Sequence, residues 1–294
     1  MIILYKEAIL LGAIEKLEKL FANPILQLSD VKKKNGLFFA SCVANRIDLV
    51  IEYLKDEEID VNYRREEGMS PFFISCSKGN IQIVKELLKH SRIQKNQTNL
   101  FDETPFFIAC KNNHIDVVIE LLNYNQNDSD SDSDRSSESS GDGDKIDIQK
   151  QNGFEETGLF ISCKEGHLEI VQLLLKDQRI DVNKSNKNED TPLMVSWEKR
   201  KLEITKELLK CSNINVNLVN RKRKSFLFMV QSNLEIIKLL LRNGTVNIRA
   251  KFQGKTIFET KNKEILSLLK AYDTGIFLFL FFDFIIFQKK IKIK

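Results

Sequence analysis

The sequence predicts an all-α stack of helix-turn-helix units joined by short β-hairpin-like arms, about seven to eight units counting degenerate ends. Three observations predict it. Cys42, Cys76 and Cys110 are each 34 residues apart, inside the related segments GLFFASCVANRIDLV, SPFFISCSKGNIQIV and TPFFIACKNNHIDVV. A fourth copy, TGLFISCKEGHLEIV, follows after 19 extra residues, and a fifth, TPLMVSWEKRKLEIT, puts Trp197 in the cysteine slot. Three of the four prolines, Pro71, Pro105 and Pro192, follow Ser or Thr at one slot of the repeat. A unit of this length cannot bury an apolar face alone, so copies must stack on one another.

Each unit reads as two short helices after a loop. Proline suits the first turn of the first helix, where its missing N–H is one of those left without a partner anyway. The apolar run Phe72, Phe73, Ile74, Cys76 forms that helix. Ile81, Val84, Leu87 and Leu88 then recur at the three-and-four spacing of one helical face. Between them, KGN, NNH and EGH place Gly79, Asn113 or Gly166 at a turn that favours a left-handed backbone. IDVN, at 59–62 and again at 180–183, is β-branched and Asn-terminated, which predicts a short extended arm entering a turn. Helices this short are marginal alone in water, so their stability comes from stacking.

The unit resembles the ankyrin repeat. Its TPLH-x-A opening, G-H turn, V-x-x-LL second helix and D-V-N arm correspond to Thr104–Ala109, Gly166-His167, Val84–Leu88 and Asp60–Asn62, and the resemblance covers roughly residues 8–271. It implies an ankyrin-repeat solenoid. Tetratricopeptide repeats share the period but not the Pro-led first helix or the IDVN arm. The family's His is replaced by Phe39, Phe73, Phe107, Phe160 and Met194. Apolar burial is expected to substitute for the family's Thr-to-His linkage, at about 1.5–3 kcal/mol per fully buried side chain.

Domain organisation follows from the copies, whose boundaries fall near 35, 69, 103, 156, 190 and 223. Residues 1–34 are expected to hold a degenerate N-terminal cap around AILLGAIEKLEKLF. Residues 35–124 hold repeats, 125–145 an acidic Ser/Asp-rich disordered loop, 146–271 further repeats and a closing cap, and 272–294 a Phe-rich and Lys-rich tail. The copy near 223 lacks its proline and is two residues short around its inter-helix turn.

The loop has no apolar residue from Asn125 to Lys145, and between 126 and 144 it carries seven acids against Arg135. It cannot bury enough surface to offset its chain entropy. Ser129, Ser131 and Ser139 each have an acid three residues downstream, so they are candidate phosphorylation sites. An inert spacer and a regulated or basic-partner-binding loop both fit this composition. In the tail, Ile276–Phe287 has eleven apolar residues in twelve, interrupted by Asp283, short of the ~20 that a spanning helix needs. An apolar flap, an interfacial contact and unselected sequence remain open for it, and membrane association is not expected.

Composition narrows function. The chain has 294 residues, 42% hydrophobic and 29% charged, with formal charge +4, a packed-protein profile without a global argument for nucleic acid. The basic runs Lys32-Lys33-Lys34 and Arg221-Lys222-Arg223-Lys224 are assigned to inter-repeat arms; without interleaved aromatics they give only a weak nucleic-acid patch. Five Cys without CxxC pairing indicate a reducing compartment, the cytoplasm with the nucleus as the alternative. Four of them read as small buried hydrophobes. His114 and His167 fall in the turn slot, and no nucleophile, metal or cofactor pattern occurs. The expectation is a non-enzymatic monomer without cofactors.

What the resemblance implies is a protein-binding scaffold, with partner contacts in the arm tips and at the end of the first helix. Carried onto this sequence, those slots are Glu66, Glu67, Met69, Ser77, Lys78, Leu100, Phe101, Glu103, Lys111, Asn112, Phe154, Glu156, Lys164 and Glu165. Leu100, Phe101 and Phe154 are the sharpest anchors, either exposed or packed on the neighbouring arm. The alternative is a regulated or membrane-proximal adaptor acting through the acidic loop or the Phe-rich tail.

Overall fold

The computed structural model describes residues 30–127 and 145–274. The chain divides into two compact units between Ile180 and Asp181.

Among the described residues the first unit contains four helix pairs: α1 (Asp30–Val43) with α2 (Ile47–Leu54), α3 (Pro71–Lys78) with α4 (Ile81–Leu88), α5 (Pro105–Lys111) with α6 (Ile115–Asn127), and α7 (Gly158–Glu165) with α8 (Leu168–Leu174). First helices pack on first helices along the stack, α1 on α3, α3 on α5 and α5 on α7. The second unit holds α9 (Pro192–Glu198) with α10 (Leu202–Leu209) and α11 (Phe226–Met229) with α12 (Leu234–Asn243). A two-stranded hairpin, β1 (Lys251–Phe252) with β2 (Lys255–Thr256), and α13 (Lys263–Asp273) complete it. The fold is the predominantly helical ankyrin arrangement.

Each first helix starts where its sequence directs. Ser70, Thr104, Thr157 and Thr191 are buried N-caps whose hydroxyls accept from the backbone N–H of Phe73, Phe107, Phe160 and Met194. The residues that donate these capped N–H groups stand in the family's His slot, and their side chains lie in the core with Phe39. Copy one has Gly36 and Leu37 in the cap and proline slots. α1 already includes Asp30, the first described residue, ahead of the boundary expected near 35. Lys32, Lys33 and Lys34 therefore lie inside a helix, a correction to their assignment to an arm, and Lys34 reaches Asp56 at 2.6 Å. α6 runs on to Asn127, the last residue described before 145, past the end near Leu122 that periodicity suggests.

The inter-helix turns are left-handed at Gly79 (φ 74°), Asn113 (62°) and Gly166 (100°), and also at Asn45 (56°) and Arg200 (59°) in the same slot. At three of these turns, a side-chain donor one position later ties the turn to the preceding first helix. Asn80 Nδ2 donates to Cys42 O at 2.7 Å, His114 Nε2 to Ser77 O at 2.8 Å and His167 Nε2 to Lys111 O at 2.9 Å. A carbonyl only accepts, so both imidazoles carry their proton on Nε2.

The arms are joined by a second series. Asn62 uses both ends of its amide on the following arm, donating to Arg92 O (2.7 Å) and accepting from Gln94 N (2.8 Å). Asn96 does the same with Lys145 O and Asp147 N, Asn183 with Asn213 O and Asn215 N, and Asn217 with Thr245 O and Asn247 N. The Asn ending IDVN thus acts as a clamp between repeats, beyond the turn-forming role its sequence suggests.

Candidate protein-binding face

The arm tips rest on one repeated device. At the second tip, Asn99 Oδ1 accepts from the backbone of Phe101 (2.9 Å) and Glu103 (3.0 Å), while Nδ2 donates to the Glu103 carboxylate at 2.8 Å. Asn152 repeats this with Phe154 and Glu156, and in the second unit Asn186 and Asn220 accept from the corresponding pairs of amides. The backbone closes each tip from the fifth residue's carbonyl, as in Asn99 N to Glu103 O and Asn152 N to Glu156 O, both 3.0 Å. The fourth residue is left-handed in every case: Asp102 at 58°, Glu155 at 60°, Glu189 at 62° and Arg223 at 57°. Arg65 takes the Asn slot at the first tip, where Gly68 holds the left-handed position at 76°.

Neighbouring tips are also joined. Leu100 N donates to Glu67 O at 2.9 Å and Gly153 N to Phe101 O at 3.0 Å, so tips one to three of the first unit form a hydrogen-bonded row. The side chain of Phe101 is 56% exposed, that of Phe154, one repeat on, 62%, and that of Leu100 70%. The alternative that they pack away on the next arm does not apply.

The other candidates divide by position. Glu67, Lys78, Asn112 and Glu165 are exposed, and Met69, Ser77, Lys111 and Lys164 are half-buried. The side chain of Glu66 lies outside the described residues. Glu103 and Glu156 require a correction. They are only 7% and 6% exposed, because each carboxylate is drawn inward between its tip Asn and a lysine one helix further along. Lys111 Nζ stands 2.7 Å from Glu103 and Lys164 Nζ 2.8 Å from Glu156. These pairs brace each tip against its first helix, which also occupies the two lysines. Asn112 Nδ2 is likewise engaged by Ser77 O at 2.8 Å. Ser129, Ser131, Ser139 and the tail from 276 lie outside the described residues.

The sites that could have carried chemistry are built as structure. Burial pushes the Cys42 and Cys110 thiols up to about 12 and the Cys76 thiol higher still, so they are not nucleophiles at neutral pH. Cys163 is buried in the same slot. Among the described residues no three His, Cys, Asp or Glu side chains are grouped to hold a metal ion, and no helix is long and apolar enough to cross a membrane.

Residues 7–99, 37–133 and 140–220 match the family of ankyrin repeats in three copies, the first two overlapping. The chain belongs to the ankyrin-repeat family. No curated protein matches it. Ankyrin repeats are generally protein–protein interaction modules and typically not enzymes. In this ankyrin chain, sequence reasoning found the exposed tip residues from their slots and missed the tip asparagines that hold them. Asn99, Asn152, Asn186 and Asn220 recur at the repeat spacing, so the periodicity that reveals the cysteines carries that signal as well.

Proposed function

We propose that this ankyrin chain is a non-enzymatic interaction scaffold that docks a partner protein on the arm-tip row of its first unit, with Leu100, Phe101 and Phe154 as apolar anchors. The observation that carries this reading is the exposure of three large apolar side chains on adjoining tips whose backbones are fixed by Asn99 and Asn152. A rigid tip presents an anchor at little entropic cost to binding. Covering the exposed part of one Phe removes about 100 Å² from water, about 2.5 kcal/mol, so two such residues could dominate an interface. Glu67, Lys78, Asn112 and Glu165 surround the anchors with charge and polarity. The buried free thiols support a reducing compartment and a cytoplasmic location.

Comparative affinity capture tests this. The intact chain and the variant Phe101→Ala/Phe154→Ala are each used to capture partners from native lysate, with thermal denaturation as the folding control. A bound protein lost with the variant, at unchanged stability, is the expected result. Each truncation should weaken a purified partner about 30-fold, the equivalent of about 2 kcal/mol. Retention of every partner at full affinity by the folded variant would overturn the assignment.

A further inference from the structure

The second unit contains a groove that the regular repeat does not make. In the other copies the first helix runs seven residues or more, but α11 stops after four, Phe226–Met229, because copy six is two residues short. The missing turn leaves Trp197, the chain's single tryptophan, half-exposed, with its indole N–H donating to Met229 O at 3.1 Å. A cavity of about 610 Å³ opens there, floored by Trp197, Leu202 and Met229, within the ~300–1,000 Å³ range of ligand pockets.

Its rim is cationic. The inter-helix turn at 198–201 reads Glu-Lys-Arg-Lys and the next arm tip at 221–224 reads Arg-Lys-Arg-Lys, seven cations against one acid. Glu198 and Arg200 from the turn and Lys224 from the tip line the same cavity, which joins the two runs at one site. Among the described residues, Lys199, Arg200, Lys201, Lys222 and Arg223 have no carboxylate within ion-pairing distance, while Arg221 has Glu189 only at 3.9 Å. Backbone conformation points the same way. Arg200 occupies the left-handed turn slot filled elsewhere by Gly79, Gly166, Asn45 and Asn113, so an arginine is held where a side chain costs stability.

We propose that this groove is a second binding site, for an acidic peptide segment that places one aromatic or aliphatic side chain against Trp197 while its carboxylates meet Arg200, Lys224 and the flanking cations. A peptide is favoured over single-stranded nucleic acid for two reasons. Stacking platforms use successive aromatic residues, whereas Trp197 is the one aromatic among the described residues that line the cavity. Its ring is also pinned across the gap by the bond to Met229 O. The inference is independent of the tip row, which uses other residues of the other unit.

Trp197 makes the test direct. A short Asp/Glu-rich peptide with one central Phe is titrated into the full chain at low salt, with tryptophan emission and peptide anisotropy recorded together. The expected result is binding that shifts Trp197 emission, weakens steeply with added salt, and is lost when the peptide's Phe is replaced by Ser. Arg200→Gly removes the charge at a backbone position glycine prefers, so the fold is retained and its melting temperature does not fall. That variant and Lys224→Gln should each weaken binding about threefold to fivefold. Undetectable binding, binding without an emission change, unaltered affinity in both variants, or preferential binding of oligouridylate would each overturn the proposal.

Discussion

Replacing Asn99 tests whether the tip geometry that displays the apolar anchors is set by that one side chain. Asn99→Ala removes three hydrogen bonds, two to backbone amides and one to the buried Glu103 carboxylate. A typical bond contributes about 0.5–1.5 kcal/mol net, with the upper end applying where a buried group is left unsatisfied, so about 3 kcal/mol is expected. Tip one shows how part of that cost can be offset. There Arg65 stands in the Asn slot, and the Arg65 N to Met69 O bond still forms at 3.0 Å with Gly68 in the left-handed position. Asp102→Gly should therefore stabilise the wild-type chain by about 1 kcal/mol, since a left-handed non-glycine costs about that much, and recover a similar amount in the Asn99→Ala background. Asn99→Asp separates the two ends of the amide. It keeps the acceptor for both amides but sets a second carboxylate at the position now 2.8 Å from Glu103. Like charges there raise the folded-state pKa of the pair above the unfolded values. The penalty is thus full at neutral pH and disappears as pH falls below about 4. Hydrogen exchange at the Phe101 and Glu103 amides, with far-ultraviolet circular dichroism as the global measure, reads all three variants. Protection at those amides should fall about 100-fold in Asn99→Ala. If protection is unchanged, or if Asp102→Gly destabilises the chain, the account of the tip is wrong.

Other consequences follow from the packing. Gly79→Ala would set a Cβ 2.5 Å from His114 Nδ1 on a backbone at φ 74°, so a loss of about 1–3 kcal/mol is expected in chemical denaturation. Iodoacetamide on the native chain should modify Cys211 alone, although burial and Glu207 raise its pKa as well, and reach Cys42, Cys76, Cys110 and Cys163 only after denaturation. Peptide mapping before and after unfolding checks this. Hydrogen bonds from Arg179 hold the Asp177 carboxyl below its ordinary value, while Arg179 also reaches Leu122 O at 3.2 Å. A carboxyl lowered on folding stabilises above about pH 4 and loses that contribution as pH falls through its folded value. Asp177→Asn should accordingly cost up to about 1 kcal/mol at neutral pH, with the difference from wild type closing at strongly acidic pH, as measured by denaturant melts across pH.

How far the sequence could be read depended on whether a residue's role repeats within its own copy or between copies. Cys42, Cys76 and Cys110 sit on one helical face, and their spacing is enough to place Phe73 and Phe107 beside them in the core. Gly79 and Gly166 announce a turn through backbone preference alone. Glu103 and Glu156 could not be placed this way, because an acid at a loop tip reads as solvated until the lysine eight residues later and the tip Asn are found to converge on it. Asn62 and Asn96 were hidden for a related reason. Their partners are backbone groups of the following arm, and backbone groups leave no mark in the sequence. The groove at Trp197 combines both limits. The two-residue shortening of copy six is visible in the alignment, but what it uncovers is a side chain of the preceding copy, and only packing says which one. A deletion in a repeat is therefore best sought for its effect one unit upstream, where the shortened helix no longer covers its neighbour.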